Sequence, residues 1–145
     1  GNVPWYWIRP QHALSGGQGM HRFVWDLHYP PFPPKTPSYP IAAVPRDTAP
    51  DYSSPWVLPG TYTLRLTAGA TTRTQPLVVQ MDPRVKTSRA DLEKQFALSM
   101  RVYELLQKST DDARTEKLRT LLDILQNADA APAAQVVRAV EEMEK

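Results

Sequence analysis

The chain has 145 residues, a formal net charge of +2, 41% hydrophobic and 22% charged residues, and no cysteine. A charge that small leaves no electrostatic footprint for nucleic acid or an acidic membrane surface, and the missing thiols exclude a disulfide framework, Cys-ligated zinc and thiol nucleophiles. No stretch reaches the roughly 20 apolar residues that a membrane-spanning helix needs.

The first residues are Gly1-Asn2 rather than Met, so the chain reads as a piece of a longer polypeptide. Val3 to Pro10 (VPWYWIRP) alternates, with Trp5 and Trp7 on one face and Tyr6 and Ile8 on the other. It predicts a short strand ended by Pro10. Ser15 to Gly19 is a loop. His21 to Tyr29 carries the strongest strand pattern of the first half. Phe23, Trp25, Leu27 and Tyr29 fall on one side, and Val24, Asp26 and His28 on the other. Pro30-Pro31 ends it.

The 15 prolines are about twice the average share. They crowd into residues 30–59, where Pro-Pro pairs favour polyproline II and remove backbone donors. This reads as one long loop with a short strand at Ile41 to Val44. Tyr39, Tyr52 and Trp56 are the expected anchors. The loop could also serve as a polyproline ligand, but wrapping over its own domain is the plainer reading.

Leu58 to Thr67 then states a hairpin. Pro59-Gly60 makes a turn, and Tyr62, Leu64 and Leu66 alternate with Thr61, Thr63, Arg65 and Thr67. Ala68-Gly69-Ala70 turns the chain, and Thr71 to Met81 returns. Pro76 lacks a donor and predicts an edge or a bulge. The apolar face is expected to meet Trp25 or the first helix. Asp82-Pro83 serves a turn.

From residue 87 the period changes to that of a helix. Ser88 is the expected N-cap, with Asp91 as a capping-box-like acid. Leu92, Phe96, Met100, Tyr103 and Leu106 form one stripe, widened by Leu98, Val102 and Leu105. A face that wide serves two neighbours. Ser109 to Asp112 starts a second helix with the seam Leu118, Leu121, Leu122 and Leu125. Asn127 to Asp129 breaks it, and Pro132 opens a third with Val136, Val140 and Met143. Short connections make the helices antiparallel neighbours. Their stripes pack on one another, with some apolar surface left for another body.

Three stretches, taken in order, carry a resemblance. Gly19 to Pro30 (GMHRFVWDLHYP) resembles G-M-x-R-F-x-W-D-L-R-Y-P. Pro59 to Leu66 (PGTYTLRL) resembles P-G-T-Y-T-V-R-L, and Gln75 to Val85 (QPLVVQMDPRV) resembles Q-P-L-x-V-x-x-D-P-R-V. Together they look like the C-terminal region of large bacterial extracytoplasmic proteins with sialidase-like (BNR) or sortilin-like β-propeller repeats, often labelled glycosyl hydrolases. The W-D … P-G-x-Y part is also similar to the immunoglobulin-like domain of flagellar hook-capping proteins. The resemblance implies a β-sandwich followed by helices, a periplasmic or secreted location, and one or two sandwich strands encoded before residue 1. The Asp-box pattern of the propeller repeats (S-x-D-x-G-x-T-W) is absent from the chain, so no catalytic role carries over to any residue.

The expected fold is therefore α+β. An antiparallel β-sandwich of immunoglobulin or fibronectin type III character, with its Pro-rich loop 30–59, fills 1–86. A three-helix antiparallel unit fills 87–145. The expected function is a non-catalytic accessory module of an extracytoplasmic β-propeller protein, positioning or stabilising the propeller or mediating assembly. Its expected partners are that propeller or a second copy paired through an exposed sheet edge.

The alternative is a carbohydrate-binding module with Trp5, Trp7 and Trp56 as stacking surfaces. Core and loop anchoring is the plainer reading of these aromatics and of Tyr6, and Trp25 is expected to be buried. His12, His21 and His28 suit no metal site, because His21 and His28 face opposite ways on one strand. Asp47, Asp51 and Asp82 form no pair of the kind a glycosidase needs. No catalytic, metal or cofactor residue is assigned.

Overall fold

The computed structural model describes residues 16–23, 25, 27–30 and 54–144. Its elements are β1 (Gly60–Ala68), β2 (Thr71–Val79), α1 (Arg89–Lys108), α2 (Asp112–Gln126) and α3 (Ala134–Met143).

β1 and β2 pair antiparallel in unbroken register, from Gly60 opposite Val79 to Ala68 opposite Thr71. Gly69 takes the first turn position with a φ of 58°, while Ala70 stays at negative φ. That is the type II′ pattern, which suits the right-handed twist of the strands and wants Gly there. Tyr62 opposite Leu77, Leu64 opposite Gln75 and Leu66 opposite Arg73 share one face. Thr63 is opposite Pro76 with no bulge, so the predicted edge position holds and the predicted bulge does not.

The hairpin leads into α1 through Asp82. Its carboxylate accepts from the Arg84 amide at 2.9 Å, and its carbonyl from the Val85 amide at 3.0 Å. The Arg84 guanidinium grips the same carboxylate and holds it below the usual carboxylate range.

α1 starts as its capping residues require. Ser88 Oγ accepts from the Asp91 amide at 3.1 Å and donates to Asp91 Oδ2 at 2.7 Å. α2 is capped by Asp111, whose carboxylate accepts from the Arg114 amide at 2.6 Å. α3 begins two residues later than predicted, with Ala133 as a cap that makes no side-chain bond. Pro132 therefore precedes the helix rather than opening it.

The core lies between the helices. Leu98, Val102 and Leu106 of α1 close on Leu118, Leu122 and Leu125 of α2 and on Val140 of α3. Leu105, Leu121, Val136, Val137 and Met143 seal its margin. Arg101 reaches from α1 to the Glu144 carboxylate just past α3, with its Nε at 2.7 Å. That contact holds Glu144 below its ordinary range.

The β-sandwich expected for residues 1–86, with its immunoglobulin or fibronectin type III character, is corrected. Among the described residues the structure is a small α+β fold made of one two-stranded antiparallel sheet and three helices. The strands predicted at 3–10 and 41–44 lie outside the described residues. The one predicted over 21–29 reduces, among the described residues, to a single antiparallel bridge between His28 and Trp56. Leu27 explains part of this. Its φ of 62° is left-handed, which costs a bulky residue about 1–2 kcal/mol and turns the chain out of an extended path.

The Ser88 cap carries a testable pH dependence. The Ser88 hydroxyl, and after it Lys94, lower the Asp91 carboxyl from its ordinary value. A lowered folded-state value means that the contribution is complete above the ordinary carboxylate range, about 4. It is lost as pH falls through the folded value. Ser88→Ala is expected to cost about 0.5–2 kcal/mol near pH 7. The difference from wild type should narrow near pH 3, as read by urea denaturation at the two pH values.

Candidate functional site

The wide apolar face of α1 does serve two neighbours. One side builds the helical core. On the other, Phe96 and Tyr103 receive Tyr29, at ring distances of 5.8 and 6.5 Å. The Tyr103 hydroxyl donates to the Pro30 carbonyl at 2.7 Å. Residues 27–30 thus lie across α1, and 55–57 lie beside them. The Tyr29 amide donates to the Pro55 carbonyl at 2.9 Å and the Val57 amide to the Leu27 carbonyl at 2.8 Å.

A polar clamp fixes this pair of segments to the helices. The Trp56 amide donates to Gln126 Oε1 at 2.7 Å, Gln126 Nε2 donates to Ser99 Oγ at 2.8 Å, and Ser99 Oγ donates to the Gln95 carbonyl at 2.9 Å. Gln95 in turn donates from Nε2 to the carbonyls of Leu125 and Ala128 at the end of α2. Ser99 is fully buried, yet among the described residues no buried side-chain polar atom lacks a partner.

Between the hairpin stem and α1 run two adjoining clefts of about 140 and 190 Å3 that share Leu58, Pro59, Met81 and Leu92. Leu27, with its strained backbone, and Trp56 stand at the first of them. Its walls are mostly apolar, and Gln95, Gln126 and Ser99 are committed to the clamp.

The hairpin beyond this stem exposes apolar side chains. Every Cα of the two strands stays more than 8 Å from every helix Cα. Tyr62 does meet Trp25, edge to face at 5.8 Å, and its hydroxyl donates to the Leu58 carbonyl at 2.6 Å. Burial, and after it the neighbouring Tyr29, raise the Tyr62 hydroxyl above its ordinary value. Leu64 and Leu66 on the same face remain 46% and 55% exposed. Trp25 is half-buried rather than enclosed, with Nε1 donating to the His28 carbonyl at 3.0 Å.

Trp56 is 47% exposed and stacks on the His28 ring, with centroids 3.5 Å apart. Trp5 and Trp7 lie outside the described residues, as do Tyr6, His12, Tyr39, Asp47, Asp51 and Tyr52. Of the three tryptophans considered for sugar stacking, Trp56 is the one among the described residues, and it stands at a cleft. His21 Nε2 hydrogen-bonds the Gly17 carbonyl at 2.8 Å. Among the described residues no three His, Asp or Glu side chains gather into a metal-ligating group, and no helix is long and apolar enough to cross a membrane.

The Gln126–Ser99 clamp escaped the reading of the sequence. Its signal was a polar residue in an apolar row, since Leu92, Phe96, Ser99, Tyr103 and Leu106 follow one another at helical spacing. Compared with family models, curated proteins and solved structures, the chain matches none.

Proposed function

We propose that this chain is a non-catalytic accessory module of a larger extracytoplasmic β-propeller protein. In this reading the helical unit is the firm body and the hairpin is the element that docks. One observation carries it. The helices bury a shared core, while Leu64 and Leu66 remain 46% and 55% exposed on a hairpin whose strand Cα atoms all lie more than 8 Å from those of the helices. A two-stranded sheet is marginal alone and gains stability from a third layer. The propeller as that layer comes from the three ordered motifs.

The reading frame that encodes the chain supplies the first test, with a propeller in the same polypeptide as the expected result. The second is calorimetric titration of that propeller, produced separately, with this chain. Binding is expected, and Leu66→Asp should weaken it at least about tenfold, because burying a Leu is worth about 1.5–3 kcal/mol. A frame without a propeller, or a propeller that ignores the chain, overturns the proposal.

The carbohydrate reading keeps one supporting observation, half-exposed Trp56 at a cleft. It requires oligosaccharides to shift the tryptophan emission of the wild type but not of Trp56→Ala. The accessory-module reading expects no shift in either.

A further inference from the structure

We propose that the outer edge of β1 pairs with β1 of a second copy of this chain, giving a continuous four-stranded antiparallel sheet across a two-fold axis. The inference concerns the edge of the hairpin, not its face, and stands whatever the face meets.

The two edges of the hairpin are not equivalent. In a two-residue hairpin the pair closing the turn is hydrogen-bonded, and bonded and non-bonded pairs alternate from there. Counting from Ala68–Thr71 places Thr63–Pro76 among the non-bonded pairs. The main-chain groups of those residues point outward. On β2 the outward row therefore includes Pro76, which has no amide to offer, and a proline there blunts an edge. On β1 the outward row is Thr61, Thr63, Arg65 and Thr67, each with an amide and a carbonyl. Among the described residues β1 is the open edge.

The sequence of β1 is complementary to itself in one register. A two-fold axis through Leu64 keeps all nine residues of each strand paired. It sets Leu64 against the partner's Leu64 and Tyr62 against the partner's Leu66, so the apolar faces join. Arg65 then falls opposite the partner's Thr63. Centring on Arg65 would oppose two guanidinium groups, which cross-strand pairs disfavour. Centring on Thr63 would shorten the ladder. Residues 57–81 hold Arg65 and Arg73 and no acid, and this register keeps the two Arg65 guanidinium groups diagonal rather than directly opposed, the lesser of the two repulsions.

The dimer also answers the deficit of the hairpin, since sheets of three or more strands with an apolar face hold where two do not. One strand edge buries well under the ~1,200–2,000 Å2 of a stable interface. The association is therefore weak and reversible, with a dissociation constant above about 1 μM.

Sedimentation velocity of the full chain between about 10 μM and about 1 mM, a range suited to small interfaces, tests this. The expected result is a reversible monomer–dimer equilibrium. Thr63→Pro removes one outward amide and no bond within the hairpin, so it should weaken the dimer at least about tenfold with an unchanged circular dichroism spectrum. Hydrogen exchange on the wild type gives an independent reading. The amides of Thr61, Thr63, Arg65 and Thr67 should become protected as concentration rises, while those of β2 that face outward do not. A chain monomeric throughout the range overturns the proposal. So does a dimer that survives Thr63→Pro without concentration-dependent protection of those amides.

Discussion

Leu118→Ala is expected to cost the helical unit about 2–5 kcal/mol, the range for deleting a fully buried Leu side chain. Leu118 has no exposed surface and sits in the seam where α2 meets Leu98, Val102 and Leu106 of α1 and Val140 of α3. Truncation leaves a void bordered by all three helices, and none can close it without leaving another. At roughly 0.05–0.15 kcal/mol per residue, a unit of this size holds about 3–8 kcal/mol in total. The variant should therefore be partly unfolded in water. Ile124→Ala is the matched comparison, on the same helix but half exposed, where surface substitutions stay within about 0.5 kcal/mol. Urea unfolding followed at 222 nm separates the two. Equal midpoints for both variants would show that the seam is not the core of the unit.

The helical half of the fold was legible because its signals are local. Ser88 and Asp111 announce α1 and α2 by chemistry that acts within one turn. The 3.6-residue spacing of Leu118, Leu122 and Leu125 names the α2 core directly, while on α1 the core falls on Leu98 and Val102, which only widened the predicted stripe, and on Leu106, the one member of its main row to join the cluster. α3 was placed less well, since Pro132 is compatible both with a first turn and with a position just before the cap.

The hairpin was legible for the same local reason, through Gly69 and the period-2 runs beside it. Its surroundings were not. Alternation at Tyr62, Leu64 and Leu66 says that one face is apolar, but not what covers it, and a sandwich was one way to supply the cover. The predicted strand at 21–29 shows the limit more sharply. Phe23, Trp25, Leu27 and Tyr29 alternate well, yet a left-handed Leu27 turns the backbone, and Leu carries no propensity that would announce it. The clamp around Ser99 and Gln126 was hidden because its partners are 27 residues apart along the chain, beyond the reach of any local pattern.

Gly69→Val should melt the hairpin and leave the helices in place. Gly69 occupies the first turn position at a φ of 58°. A β-branched residue there meets its own backbone and costs about 1–2 kcal/mol or more. The space around the residue is open, with no atom within 4 Å of an added Cβ, so the penalty is one of backbone conformation and not of crowding. An isolated two-stranded sheet holds little in reserve against that penalty, and 1–2 kcal/mol changes a folded-to-unfolded ratio by about 5–30-fold. The strand Cα atoms all lie more than 8 Å from those of the helices, so little close packing shares the loss. Amide exchange should therefore quicken by about that factor from Gly60 to Val79 and stay constant in α1, α2 and α3. Gly69→Asn, which tolerates the left-handed region better, should recover part of the protection. Because the β1 edge exists only while the hairpin is formed, Gly69→Val should also abolish the concentration-dependent dimer, and Gly69→Asn should restore part of it. Equal exchange in both variants would mean that the turn does not control the hairpin. Quickened exchange throughout α1 to α3 would mean that hairpin and helices unfold as one.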